Sequence, residues 1–392
     1  MRKNIIITGG GMGNKGAQSM TFICVDELKK RYPEDHIVLI TLARNDYSKY
    51  NFGIQPISYP ALKNLIVPVS KIRAFFKRIK KQEIEKIDNL FNNARFLVDI
   101  SGYALGSNWP EATVDYYLSC IECARKYNVP AYIMPQSFGP FEYAANSELM
   151  KRIKDTMAYP NVVFTREEEG YLMLKEIFQL KNLQKSCDMV LKSKEVNPQA
   201  IYKDYKHKKK PIILSNAVAI IPNIRNFGHK DKQIIMSYYK IMIDWLVSNR
   251  KMVYILHHSS EDSPICEEIK DLFANEDSVI LIREDFDCFE YEDIVKQFDY
   301  LIASRYHSII HALKNDIPCI AMGWATKYVD LLSLFEQKDC ILDVRTNITD
   351  EQIIMVLMHM EENFKERRQI IKENLCAIQT DNLFDKIVAM EA

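Results

Sequence analysis

Short apolar runs alternate with helical patterns along most of this chain, and that rhythm constrains its fold more than any other feature. Isoleucines 5–7 lead through a glycine-rich turn into a helix over about 17–31, and runs at 36–41, 95–100, 131–134 and 162–165 follow. After Pro211 the pattern resumes with runs at 212–214, 252–256, 278–282, 300–303 and 317–322, and a long helical pattern over 232–248. Strand, polar turn and helix in that order build βαβ units on parallel sheets. At 392 residues the chain exceeds one ordinary core. The expected architecture is α/β, two parallel-sheet domains facing a cleft, the first over 1–200 and the second over 201–392 with the terminal helices. Residues 192–210 hold few large apolar side chains and end in a basic run, which reads as a solvated linker.

The 52 basic and 52 acidic side chains cancel, which argues against a nucleic-acid partner. No apolar run approaches the ~20 residues that cross a bilayer. The start has only three isoleucines before its glycines, a first strand rather than a secretion signal, so a cytoplasmic location is expected. The nine cysteines read as scattered, reduced core thiols, and the Cys120/Cys123 pair has no second pair at zinc spacing. One segment is one-sided in charge. Ile72, Phe75, Phe76 and Ile79 share a helical face ringed by Lys71, Arg73, Lys77, Arg78, Lys80 and Lys81. It fits an ordinary amphipathic helix packed on its own sheet, or a helix lying on an anionic membrane surface. Membrane contact through 71–81, at the inner face, and homo-oligomerisation both stay open.

The most informative stretch is Arg305-Tyr306-His307-Ser308, between the apolar run at 300–303 and a helical pattern. Strand-to-helix junctions lie at the carboxyl edge of a parallel sheet, where α/β proteins bind ligands. A helix start adds free N–H groups and a positive dipole end. An arginine and a histidine there suit a phosphate or carboxylate. Thr165-Arg166 repeats the strand-end arginine. The loop 9–16, Gly-Gly-Gly-Met-Gly-Asn-Lys-Gly, is no P-loop, since it lacks the Gly-Lys-Ser/Thr end. It is either a tight turn or a lining of the cleft. Gln136 and Ser137 can hydrogen-bond hydroxyls, and Tyr103 and Trp109 can stack on a sugar. His257, His258, Glu261 and Asp262 cluster after a strand, and read as polar loop residues more readily than as a divalent metal site.

Taken together, these motifs resemble the polysaccharide pyruvyl transferase family. The markers are Asn14 and Gly16, the Asp99-Ile-Ser-Gly102 loop, residues 135–140 (Pro-Gln-Ser-Phe-Gly-Pro), Thr165-Arg166, Cys187-Asp188, and Ser304-Arg305-Tyr306-His307-Ser308 followed by Pro318 and Lys327. The resemblance implies a glycosyltransferase-B-like (GT-B) fold, with two Rossmann-like domains facing a cleft. It implies phosphoenolpyruvate as donor substrate, with no cofactor or metal, and a hexose of a growing glycan or lipid-linked oligosaccharide as acceptor, ending in a cyclic pyruvate ketal. It assigns the donor to Arg305 and His307, with Arg166 as a further arginine. The sequence departs from the family pattern at Ala17, where an acidic residue is common, and at Ser101, where glycine often stands.

The residues agree chemically. Phosphoenolpyruvate carries a phosphate and a carboxylate, a match for arginines, a histidine and a helix N-terminus. Its C3 must take up a proton before C2 is attacked, and His307 is the expected acid. Arg305 and His307 are thus the catalytic candidates. The substrate-binding set adds Arg166, Ser308, Asn14, Gly16, Gln136, Ser137, Tyr103 and Lys327. Two rivals share the architecture. A nucleotide-sugar glycosyltransferase needs a ribose-binding carboxylate such as Glu290, Glu292 or Asp293. A non-catalytic glycan-assembly subunit fits poorly with a retained Arg305–His307 pair.

Overall fold

The computed structural model describes residues 3–66, 81–144, 147–206, 210–324 and 326–391. Two parallel sheets form the two domains. The first contains β1 (Asn4–Thr8), β2 (His36–Thr41), β3 (Gly53–Pro56), β4 (Ala94–Asp99), β5 (Tyr103–Leu105), β6 (Ala131–Phe138), β7 (Val162–Thr165) and β8 (Leu183–Lys185). Its order is β3-β2-β1-β4-β6-β7-β8, with β5 on β6. The second contains β9 (Ala217–Ile221), β10 (Met252–Leu256), β11 (Val279–Ile282), β12 (Tyr300–Ala303), β13 (Cys319–Gly323) and β14 (Ile341–Asp343), in the order β11-β10-β9-β12-β13-β14. Strands buried on both faces read as continuous apolar runs rather than alternating ones. Ile5, Ile6 and Ile7, all fully buried, are an example.

Each sheet reverses direction once, between β1 and β4 and between β9 and β12. Ligands of open α/β sheets bind beyond the strand ends at such switch points. The glycine loop leaves β1 there. Arg305 leaves β12 there and forms the N-cap of the helix Tyr306–Lys314.

Two expected features take a different form. Residues 212–214 are not a strand. Ile212 is 85% exposed, with no sheet neighbour to cover it, and the central strand is β9, five residues further on. The linker is not simply solvated. Ile201 and Tyr202 are buried, and Tyr202 stacks on Tyr50 (5.3 Å) and meets Phe22 edge-on (5.6 Å). Tyrosines at 202 and 205 outweigh the surrounding polar residues because aromatic area dominates burial.

The helix Lys15–Arg31 joins the domains. Phe22 stacks on Phe289 at 5.5 Å, Gln18 accepts the Cys288 N–H at 3.0 Å, and buried Lys15 pairs with Asp285. The last helix, Leu383–Glu391, returns to the first domain. Tyr132 donates to Glu391 (2.7 Å), Arg31 pairs with Asp385 (2.5 Å), and Phe384 and Ile387 are buried. Of the basic segment 71–81, only Lys81, which opens the helix Lys81–Asn92, lies within the described residues. Among the described residues no helix is long and apolar enough to cross a membrane.

Candidate active site

Between the two carboxyl edges lies a cavity of about 960 Å³, lined by residues of both domains. The first domain contributes Asn14, Tyr103, Trp109 and Ser137, and the second contributes Arg225, His258, Glu261, Arg305, His307 and Lys327.

Arg305 is not a free cation. Its Nε and Nη2 grip both oxygens of fully buried Asp262 at 2.7 and 2.6 Å, and Nη2 also meets Glu261 at 2.5 Å. Such a fork fixes the guanidinium plane. Glu261 is 43% exposed, and Nη1 has no hydrogen-bond partner among the described residues. The arginine therefore faces the cavity pre-oriented, with one displaceable carboxylate on it. Burial works to raise the Glu261 carboxyl, but the Arg305 contact holds it below the ordinary value.

His307 stands one turn-step beyond, its Nε2 3.6 Å from Asp188. Gly16 makes room for it. A Cβ at position 16 would lie 2.3 Å from the His307 Cγ, so only glycine lets the two helix starts approach. Burial lowers the imidazole from its usual value, and Asp188 opposes that drop. Lys327 reaches over Tyr306, Tyr103 and Tyr328 at 5.4, 5.6 and 5.7 Å. Burial lowers its ammonium to about 8, with Arg166 adding to the drop.

On the opposite wall, Asn14 caps its helix by accepting the Ala17 N–H at 2.8 Å, and its backbone bridges to Ser259 of the second domain. Tyr103 donates to the Gly139 carbonyl (2.6 Å) and meets Trp109 edge-on at 5.4 Å. Ser137 accepts from Arg166 and donates to Glu167 at 2.7 Å.

Four residues expected to touch substrate stand behind the cavity wall. Arg166 has a side chain only 3% exposed, bonded to Asp188 (2.8 Å), Glu167 (2.9 Å) and Ser137, beneath the Tyr306 ring at 4.3 Å. A buried guanidinium must spend its donors on its own chain. Gln136 is fully buried and donates to Asp99, the last residue of β4, at 3.1 Å. Ser308 is fully buried and donates to the Arg305 carbonyl at 2.6 Å, the back-bond of a helical serine. Gly16 acts through the space it leaves for His307.

The cluster after β10 disperses. Glu261 and Asp262 serve Arg305, His257 lies 3.4 Å from Asp285, and His258 packs on Tyr291 and His311. Among the described residues no group of three or more metal-ligating side chains converges. The carboxylates proposed for a nucleotide ribose are occupied away from the cavity. Glu290 completes a capping box with Asp287, Glu292 holds His311 at 2.9 Å, and Asp293 pairs with Lys210.

A model of the family described as polysaccharide pyruvyl transferase matches residues 14–326. The chain belongs to that family. The match begins at the cleft residue Asn14 and takes in Arg305 and His307. Solved structures agree on the fold. A putative UDP-N-acetylglucosamine 2-epimerase of Listeria monocytogenes superposes with a TM-score of 0.57 at 11% identity, covering 97% of this chain and 92% of that one. HepE of Anabaena in complex with UDP and glucose gives 0.56 at 8% identity, covering 97% and 96%. A glycosyltransferase of Rickettsia africae gives 0.56 at 12% identity, covering 100% and 98%. At such identities the likeness establishes the GT-B fold alone. No curated protein matches the chain.

Among the pyruvyl transferase markers, the structure brings Asn14, Ser137, Arg305, His307 and Lys327 to one cavity. Arg225, also on the cavity wall, escapes the sequence reading. With a strand expected at 212–214, residue 225 did not follow a strand end. The continuous apolar run 217–221 with its polar flank was the signal available.

Proposed function

We propose that this transferase moves pyruvate from phosphoenolpyruvate onto a hexose of a surface polysaccharide or its lipid-linked precursor, closing a cyclic ketal. One observation carries the reading. Arg305 and His307 flank the start of one helix and both line the interdomain cavity, with Lys327 beside them. The donor's phosphate and carboxylate would meet Arg305, Lys327 and the free N–H groups of the helix start. His307 would protonate C3 while one sugar hydroxyl attacks C2. The first hydroxyl's proton returns to His307, the second hydroxyl then displaces phosphate from C2, and its proton leaves with that phosphate. In the free protein burial disfavours the imidazolium, and an anionic donor beside it favours the charged form, so donor binding itself would charge the acid. Tyr103 and Trp109 offer aromatic faces on the acceptor side. We place the reaction in the cytoplasm, facing lipid-linked acceptors.

The test mixes purified protein with phosphoenolpyruvate and candidate lipid-linked oligosaccharides. Glycan-dependent phosphate release, lost in Arg305→Ala, is expected. No release with any glycan, or an Arg305→Ala variant equal to wild type, would refute the reading. A nucleotide-sugar transferase would instead show thermal stabilisation by UDP-type ligands and none by phosphoenolpyruvate.

A further inference from the structure

A second guanidinium faces the same cavity. Arg225 lies on the short 3-10 turn Ile224–Gly228, which follows β9 at the switch point of the second sheet. Two buried side chains fix that turn to the strand end carrying Arg305. Asn223 accepts the Arg225 N–H at 3.0 Å and donates to the Ser304 carbonyl at 3.2 Å. Asp262 accepts the Ile224 N–H at 3.0 Å while gripping Arg305. The two arginines are therefore held in register by groups that are themselves buried.

Glu261 stands between them. One oxygen lies 2.5 Å from Arg305 Nη2 and 3.4 Å from Arg225 Nε, and the other lies 3.5 Å from Arg225 Nη2. Adjacent Asp262 plays a different part. It is fully buried, makes a two-point grip and takes a backbone N–H, whereas Glu261 is 43% exposed and bonds only guanidinium ends. Asp262 orients, and Glu261 occupies.

We propose that Arg225 and Arg305 form a two-arginine seat for an oxyanion of the phosphate-monoester class, with Glu261 as the resident anion that an incoming phosphate displaces. The proposed function supplies only the identity of the natural occupant, phosphoenolpyruvate. A half-exposed ion pair is weak and easily given up. A phosphate offers more acceptor oxygens and more charge to two forks than one carboxylate does.

Isothermal titration with inorganic phosphate, and separately with phosphoenolpyruvate, tests the seat on wild type, Glu261→Gln and Arg225→Gln. Arg225 and Glu261 are both substantially exposed, at 54% and 43%, and melting temperatures will verify folding. Glu261→Gln should tighten phosphate binding about five-fold, and Arg225→Gln should weaken it about ten-fold. Phosphate affinity within two-fold of wild type in both variants, or weakened in Glu261→Gln, overturns the seat. Shifts as expected with phosphate, but no turnover of phosphoenolpyruvate with any glycan, keep the seat and remove the donor. Glycan-dependent turnover with neither variant shifted keeps the donor and removes the seat.

Discussion

Gly16→Ala isolates how His307 is positioned. The new Cβ would sit 2.3 Å from the His307 Cγ and 2.6 Å from its Nδ1, where ordinary contact begins at 3.4 Å. The ring must therefore retreat by about 1 Å, a misplacement of the size that costs on the order of 10²-fold in rate when a reacting group is moved. Asp188, 3.6 Å from its Nε2, and the Tyr306 ring, with its centroid 5.6 Å away, are the neighbours it moves against. Overpacking of this kind costs about 1–3 kcal/mol. Alanine recovers up to ~1 kcal/mol of helix propensity at position 16. The net loss of stability is thus at most about 3 kcal/mol, while turnover falls some 10- to 100-fold. Phosphate release from phosphoenolpyruvate measures the rate, and a urea titration measures the stability. Gly16→Ala with turnover within two-fold of wild type would show that the imbalance is wrong and that His307 does not act from the observed position.

Two further outcomes follow from buried titratable groups. His258 is 2% exposed, and burial first, then the neighbouring His311, His307, Lys15 and Arg305, push its pKa well below the ordinary value. The unfolded chain takes that proton near pH 6.5 and the folded chain does not, so stability should fall by about 1.4 kcal/mol per pH unit as pH drops below 6.5. In His258→Gln the melting temperature should change less between pH 6.5 and 5, and an unchanged slope would refute the assignment. Asp188 is fully buried between Arg166 and His307, and their pairing outweighs burial to hold its carboxyl low. Asp188→Asn should cost about 3 kcal/mol, because Arg166 loses a buried partner. It should also lower the His307 pKa further, read by histidine NMR titration, and a raised pKa would sink the argument.

The alternating runs, the glycine turn and the junction at 305–307 were all legible in the sequence, because strand period, turn chemistry and helix starts are local properties. They suffice for two parallel-sheet domains and for a cationic strand-to-helix junction at the carboxyl edge of the second sheet. What each charged group would meet was not legible. Asp262 and Arg305 are 43 residues apart, and they pair because β10 and β12 flank β9 in the sheet. The same packing buries Arg166 under Tyr306, brings Arg225 to Glu261 and returns the last helix to the first domain. A charge in a sequence has no partner until strand order supplies one. The sequence alone therefore determined that cations gather at this edge, and only the tertiary structure decided which of them face the cavity and which stand behind its wall.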